Sequence, residues 1–187
     1  MGNFHYRVLV VDDDELIRRA SEVILSDFGY EVLTAKDGFE ALALMRKALP
    51  DLIISDLNMP KMSGFELLSV VRRRFPQIPV IAITGEFEER SNPGLLTDAF
   101  FHKGQHSPEE LFRRIQSLLE QSPIRPHLPK PDKAPVWIPR NGSYVVLTCP
   151  ECLRSFSIPE DEAERGAGEL ACIYCDTKIR FTLEPGR

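Results

Sequence analysis

The sequence lacks long hydrophobic runs, and its apolar stretches are far shorter than the roughly 20 residues that a transmembrane helix requires. Its first residues, MGNFHYRVLVVDDDE, lack the charged and then apolar order of a secretory signal. We therefore expect a cytoplasmic protein with no membrane partner. Basic residues are not in excess either, because 23 Lys and Arg stand against 28 Asp and Glu. The formal net charge of −5 excludes an overall attraction to nucleic acid.

Cysteine is absent from the first three quarters of the chain and then occurs in two CxxC pairs with 19 residues between them. The four positions are Cys149, Cys152, Cys172 and Cys175. In a reducing compartment this spacing indicates a metal site rather than disulfides, and it is a strong pattern for tetrahedral zinc. Four thiolates leave no open coordination position, so the pattern predicts a structural zinc ion. A thioredoxin-like redox role is disfavoured because it needs a βαβ context that this segment lacks.

Proline is concentrated in residues 122–143, which hold six of the 15 prolines. Proline removes backbone donors and favours extended chain, so this stretch is predicted to be a semi-rigid linker. It separates a domain at 1–121 from a smaller domain at 144–187. Trp137 and Ile138 are apolar for a linker, and we favour a cap packed on one domain over a partner-binding motif.

The first domain alternates apolar strands with amphipathic helices. Strands are predicted at 6–11, 30–35, 51–55, 78–84 and 98–102. Helices are predicted at about 16–28 and after Asp37, Ser63 and Ser107, which suit N-cap positions. In the first helix the predicted buried face carries Leu16, Ile17, Ala20, Val23, Ile24 and Phe28. Strands separated by helices pair in parallel through right-handed crossovers, so the fold class is α/β with a doubly wound sheet.

Polar residues follow the strands of this sheet, where the sites of such folds lie. They are Asp12, Asp13 and Asp14 after the first strand, Asp56 after the third, Thr84 at the end of the fourth and Lys103 after the fifth. Clustered carboxylates repel one another, so a hard divalent cation is expected among them. A carboxylate beside magnesium can attack a phosphoryl group, whose charge Thr84 and Lys103 would stabilise. The alternative to a phosphoryl-transfer site is that these acids are solvated loop residues and that Asp14 only caps a helix. This alternative is disfavoured because all these residues fall at successive strand ends.

The first domain contains the stretches VLVVDDDE, DLIISDLNMPKMSGFELL, PVIAITG and FFHKG. Because of these stretches, residues 5–121 resemble the receiver domain of bacterial two-component response regulators. The resemblance implies a five-stranded flavodoxin-like fold with Asp56 as the phosphoacceptor. It implies magnesium at Asp12, Asp13, Asp56 and the backbone carbonyl of Asn58, phosphoryl contacts from Thr84 and Lys103, and a switch role for Phe100. It further implies a sensor histidine kinase or phosphotransfer protein as partner. It implies no enzyme activity beyond accepting the phosphoryl group, with possible autodephosphorylation.

Two features depart from the family pattern. Gly104 follows Lys103 where the family usually has proline, so a trans peptide and a looser loop are expected. The stretch from Thr84 to Lys103 is a few residues short and contains SNPG at 91–94, which breaks helices. We therefore expect a shortened fourth helix, and an output that does not depend on a dimer through that helix.

The cysteine-containing segment at 144–183 resembles bacterial zinc ribbons, with strands flanking each cysteine pair. Phe156 and Phe181 are expected to pack behind the metal, which would supply much of the stability of so small a domain. Because the linker separates the domains, zinc removal is expected to spare the receiver. Residues 140–187 carry six basic and eight acidic side chains, so a protein partner is favoured over nucleic acid. Arg154, Lys178 and Arg180 offer at most a small basic face.

The favoured function is a response regulator in which phosphorylation of Asp56 controls a protein-binding zinc ribbon. One alternative is a transcription regulator whose ribbon binds DNA. Another is a receiver-like scaffold that never takes phosphate. An aspartyl phosphatase is disfavoured because Asn58 occupies the position of the second acid such enzymes use.

Overall fold

The computed structural model describes residues 5–85, 96–121, 136–138, 143–165 and 168–183. The first domain has one five-stranded parallel sheet with strand order β2-β1-β3-β4-β5. The strands are β1 (Arg7–Val11), β2 (Glu31–Ala35), β3 (Leu52–Ser55), β4 (Val80–Thr84) and β5 (Ala99–His102). This is the doubly wound order of flavodoxin-like folds, so the predicted sheet is confirmed.

Four helices of this domain are described, and their starts follow capping chemistry. They are α1 (Glu15–Asp27), α2 (Gly38–Met45), α3 (Gly64–Arg74) and α4 (Pro108–Gln121). The side chains of Asp14 and Asp37 accept hydrogen bonds from the first turns of α1 and α2, and Ser63 forms a capping box with Glu66 on α3. No helix among the described residues combines the length and the apolarity that crossing a membrane requires.

The predicted buried face of α1 is wrong. Leu25 is the buried residue of this helix, whereas Leu16 is 77% exposed and Val23 is 61% exposed. Ile17 and Ile24 remain partly exposed because they line a groove of about 290 Å³ between α1 and α4. The apolar positions of α1 therefore point partly to this groove and partly to solvent.

The two departures from the family pattern have different outcomes. The short helix expected between β4 and β5, which is the fourth helix of the family pattern, falls on residues 86–95. These residues lie outside the described part of the chain. The Lys103–Gly104 peptide is trans, as predicted, since the described chain has no cis peptide bond. Gly104 has φ +76°, a left-handed conformation that proline cannot adopt because its ring fixes φ near −65°.

The second domain contains two small sheets. Its elements are β6 (Val136–Ile138), β7 (Tyr144–Thr148), β8 (Ser155–Pro159), α5 (Glu160–Arg165), β9 (Glu169–Ala171) and β10 (Lys178–Leu183). β7 pairs antiparallel with β8, while β10 pairs antiparallel with β9 and parallel with β6. β6 thus lies inside the segment predicted to be a linker, although the side chain of Trp137 is outside the described part.

The hydrophobic core is continuous between the two domains. β6 packs against α3, and Val136 and Ile138 are buried in the same cluster as Val70 and Val71 of that helix. The separate cluster on the other face of the sheet, which includes Leu25, belongs to the first domain alone. The expectation that a linker isolates the two cores is therefore wrong, because β6 joins them.

Candidate functional site

Carboxylates gather where β1 and β3 end. The register pairs Val11 with Ser55, so the residues that follow these strands are neighbours. Asp12 and Asp56 are buried while Asp13 is exposed, and each of the three has a carboxylate oxygen within 4.8 Å of the others. Three convergent carboxylates form a donor set that suits a hard divalent cation.

Lys103 compensates the two buried carboxylates. Its Nζ lies 2.6 Å from Asp56 Oδ2 and 2.9 Å from Asp12 Oδ2. Burial raises the pKa of Asp12 above its ordinary value, although hydrogen bonds from Lys103 and from the Asp14 backbone act against this. Burial lowers the pKa of Lys103, but its hydrogen bonds with Asp56 and Asp12 outweigh burial and leave that pKa raised. Lys103 is therefore a cation at neutral pH.

Hydroxyl and amide groups complete the rim of this pocket. Thr84 is buried at the end of β4, and Asn58 Nδ2 donates a hydrogen bond to Thr84 Oγ1 at 3.4 Å. The backbone N–H of Asn58 donates to Asp56 Oδ1 at 3.1 Å. The structure thus brings together Asp12, Asp13, Asp56, Asn58, Thr84 and Lys103, as the sequence predicts. Phe100 lies apart from them on β5, half-buried, with its ring edge-on to His102 at a centroid distance of 5.0 Å.

The loop between β3 and α3 is held close to Asp56 by a glycine. A Cβ added at Gly64 would lie 2.0 Å from the Asp56 carbonyl oxygen, far inside van der Waals contact. Lys61 Nζ also binds Asp37 Oδ2 at 3.0 Å, which fastens this loop to the start of α2. Gly64 belongs to the sequence motif, but the contact with Asp56 is visible only in the fold.

The four cysteines form a second cluster. Cys149 Sγ lies 3.6 Å from Cys175 Sγ, and Cys152 Sγ lies 3.7 Å from Cys172 Sγ. All four sulfurs lie within 4.8 Å of one another. Four thiolates placed tetrahedrally at zinc–sulfur distances of about 2.3 Å are separated by about 3.8 Å. The sulfur positions therefore fit one zinc ion.

Each cysteine pair sits on the same kind of turn. Leu153 N donates to the Cys149 carbonyl at 2.8 Å, and Asp176 N donates to the Cys172 carbonyl at 2.9 Å. Leu153 and Asp176, which follow the second cysteine of each pair, have φ of +55° and +60°. Burial raises the pKa of Cys149, whereas hydrogen bonding with Thr177 lowers the pKa of Cys175 to about 6. The Cys175 thiol is therefore more readily ionised than the Cys149 thiol.

Two arginines of the first domain reach the first cysteine turn. Arg46 Nη1 donates to the Leu153 carbonyl at 2.7 Å. Arg74 Nε lies 3.5 Å from Glu151 Oε2, an ion-pair distance. Sequence reasoning missed both contacts, because partners separated by so much of the chain leave no local pattern.

The small basic face expected on the second domain is only partly compensated by nearby acidic side chains. Lys178 and Arg180 form ion pairs with Glu169 at 3.0 and 3.3 Å. The Arg154 guanidinium lies over the ring of Tyr174, 5.4 Å from its centroid. One carboxylate thus serves two of the three cations, and the basic face stays small.

Comparison with known proteins places the first domain. Residues 8–98 match the family model described as the response regulator receiver domain. The chain is 38% identical over 125 residues to the probable transcriptional regulator ycf27 of Porphyra purpurea, covering 65% of this chain and 51% of that protein. It is 33% identical over 116 residues to Protein PilG of Pseudomonas aeruginosa, covering 59% of this chain and 85% of that protein. The structure of chemotaxis protein CheY4 from Vibrio cholerae is similar with a TM-score of 0.56 and 37% identity, over 62% of this chain and 99% of that one. The chain therefore spans nearly all of the CheY4 structure but about half the length of the Porphyra relative.

Proposed function

Because the chain belongs to the response regulator receiver family, we propose that it is a phosphorylation-controlled switch with a zinc-ribbon output. Membership of the family implies a histidine kinase or a phosphotransfer protein as partner. In this proposal the domain at 1–121 accepts the phosphoryl group and the domain that follows the proline-rich stretch transmits the signal. The chain accepts the group on itself and does not act as an enzyme on other molecules.

We propose Asp56 as the phosphoacceptor. The observation that carries this assignment is the buried Asp56 carboxylate held 2.6 Å from Lys103 Nζ at the end of a central strand. One Asp56 oxygen would attack the phosphorus while the bond to the donor breaks, forming an acyl phosphate. The Lys103 ammonium and the Thr84 hydroxyl would stabilise the charge that spreads over the transferred oxygens.

Magnesium fits the acidic pocket by the chemistry of its donors. Asp12, Asp13 and Asp56 would hold the ion together with the backbone carbonyl of Asn58. Magnesium prefers such sites, in which a few protein ligands bind the ion and several water molecules complete its coordination. When bound, the ion would neutralise negative charge on the incoming phosphoryl group. Asp12 also accepts a hydrogen bond from Asp14 N at 2.9 Å, which keeps its carboxylate oriented into the pocket.

We propose that Cys149, Cys152, Cys172 and Cys175 hold a structural zinc ion. The sulfur separations of 3.6 and 3.7 Å support this, as do the paired turns that carry the cysteines. Phe156 and Phe181 are buried in the core of this small domain. Metal binding would add folding free energy at the two cysteine turns, beyond what this core supplies.

A protein partner for the ribbon is favoured over DNA. Binding to DNA depends on several unpaired basic side chains facing phosphates. Here residues 140–187 carry six basic and eight acidic side chains, and Ile173 and Tyr174 are exposed in the second cysteine turn. An exposed aliphatic and aromatic pair suits a protein contact better than a phosphate backbone.

The phosphoacceptor assignment is tested by mass. The full chain is incubated with acetyl phosphate and magnesium, and its intact mass is measured beside Asp56→Asn and the control Asp27→Asn, which changes an exposed carboxylate on α1. We expect one phosphate adduct in the wild type and in Asp27→Asn, and none in Asp56→Asn. An adduct that survives in Asp56→Asn contradicts the assignment, and the absence of any adduct in the wild type favours the scaffold alternative.

A further inference from the structure

The two cysteine pairs differ in their surroundings. The first pair lies against the ends of α2 and α3, where Pro150 and Leu153 of the first cysteine turn are buried. The second turn is open, since Cys175 is exposed and Ile173 is 68% exposed. The receiver thus contacts the first cysteine turn directly.

Arg46 acts on the most strained point of the first turn. Leu153 follows Cys152 directly and has φ +55°, a conformation that costs free energy for a residue with a side chain. The Leu153 N–H closes the turn on the Cys149 carbonyl, and its own carbonyl accepts the hydrogen bond from Arg46 at 2.7 Å. A charged donor makes a stronger hydrogen bond than a neutral one, so this contact holds the turn with both cysteines in place.

We propose that Arg46 of the receiver is a positioning residue of the zinc site, and that Arg74 supports it. This inference rests on the proposed zinc ribbon and adds a receiver contribution to it. Four thiolates around a divalent ion carry a net negative charge, which a nearby guanidinium stabilises. The site is therefore completed by both domains.

The two arginines contribute unequally. Arg46 makes a short hydrogen bond to a backbone carbonyl next to a ligand, and loss of such an outer contact typically lowers metal affinity by about 10- to 100-fold. Arg74 reaches Glu151 at 3.5 Å with its side chain one-third exposed, and exposed ion pairs contribute little. We therefore expect Arg46→Met to lower zinc affinity by about tenfold or more, and Arg74→Met to have a much smaller effect.

The shared core gives this arrangement a consequence for the receiver. β6 packs against α3 and pairs with β10, so order in the ribbon is transmitted to the receiver. Binding and stability are linked reciprocally. Any free energy that zinc binding adds to this interface therefore also stabilises the receiver against local unfolding. Zinc removal should then increase amide exchange in Gly64–Arg74, the helix that β6 covers.

The test measures zinc affinity of the full chain by competition with a chromophoric chelator. The variants are Arg46→Met, Arg46→Lys and Arg74→Met, with Arg165→Met as a control that removes a ribbon arginine paired within α5 to Asp161. Loss of about tenfold or more in Arg46→Met, partial recovery in Arg46→Lys and no change in Arg165→Met support the inference. Equal affinity in Arg46→Met and wild type overturns it.

Two further results keep the test decisive. If wild type binds no zinc at all, the proposed zinc ribbon itself fails, which is a different outcome from equal affinity in the variants. If Arg46→Met does not fold, hydrogen exchange of the wild type with and without a strong chelator decides instead. Faster exchange at the end of α2 around Arg46 after chelation supports the inference, and unchanged exchange there overturns it.

Discussion

Lys103 Nζ, in the residue that follows β5, lies 2.6 Å from Asp56 Oδ2, in the residue that follows β3. The same ammonium also holds Asp12 at 2.9 Å, so one cation serves two buried carboxylates. A lone buried carboxylate is costly, and this pair shows how its charge is compensated in the described chain. The arrangement leaves one excess negative charge among three groups, before the exposed Asp13 is counted.

Lys103→Met should destabilise the protein when magnesium is absent. The substitution leaves Asp12 and Asp56 buried without their cation, which we expect to lower the free energy of unfolding by about 2 kcal/mol. Magnesium should restore more stability in this variant than in the wild type, because no ammonium competes for the carboxylates. Urea unfolding with and without magnesium measures both effects, with exposed Lys47→Met as the control. An equal magnesium response in the two proteins would contradict this account of charge.

Gly64→Ala should be far more damaging than Gly85→Ala. The new Cβ at Gly64 would lie 2.0 Å from the Asp56 carbonyl oxygen, whereas one at Gly85 would meet only Lys103 Cδ at 3.9 Å. Overpacking against backbone should cost about 3 kcal/mol or more. Gly104→Ala has open space but φ +76°, so it should cost about 1 kcal/mol through strain alone. The urea midpoint should be lowest for Gly64→Ala, intermediate for Gly104→Ala and highest for Gly85→Ala. A stable Gly64→Ala would show that the loop is looser than described.

Asp37→Asn should reveal a stabilisation that depends on pH. Burial raises the pKa of Asp37, but hydrogen bonds from Glu40 N and from Lys61 outweigh it and lower the pKa below its ordinary value. A folded pKa below the unfolded one stabilises the protein above the unfolded value, and this benefit is lost as pH falls through the folded value. The free energy of unfolding of the wild type should exceed that of the variant by about 1 kcal/mol at neutral pH, because Asn caps the helix but lacks the charge. This difference should narrow below pH of about 4. A gap that stays constant down to acid unfolding would exclude the Asp37 charge as its cause.

Arg72→Met should loosen the chain that leads into β5. Arg72 donates to the Leu96 carbonyl at 2.7 Å and to the Ile78 carbonyl at 3.1 Å, and it forms an ion pair with Asp98. The Arg72 and Asp98 side chains are mostly buried, so their loss should cost roughly 2 kcal/mol. Amide exchange of Ala99–His102 should rise, while Arg19→Met on exposed α1 should leave it unchanged. Unaltered exchange in β5 would show that Arg72 is dispensable there.

The regular parts of the fold could be predicted from the sequence because their signals are local. Each strand of the receiver sheet lies within a predicted apolar run, and the caps at Asp37 and Ser63 lie where the side chains indicate. The acidic pocket follows from the same logic, since residues after parallel strands meet at one edge. These predictions needed no knowledge of distant contacts.

The remaining features depend on contacts between distant parts of the chain. Leu16 and Val23 share a helical face that the sequence predicts to be buried, yet packing of α1 buries Leu25 instead. Residues Val136–Ile138 look like linker between prolines, and only their pairing with β10 makes them a strand. The contact between Arg46 and Leu153 joins two domains, and neither residue type signals it.

The central claim is that a phosphoryl group on Asp56 controls the ribbon. Hydrogen exchange of the zinc-loaded full chain, with and without magnesium and beryllofluoride, tests it most directly, with Asp56→Asn as the control. We predict changed exchange in the Asp56 loop, in α3 and in the first cysteine turn at 149–153, and no change in Asp56→Asn. Changes confined to the acidic pocket, with the cysteine turn unaffected, would contradict the claim.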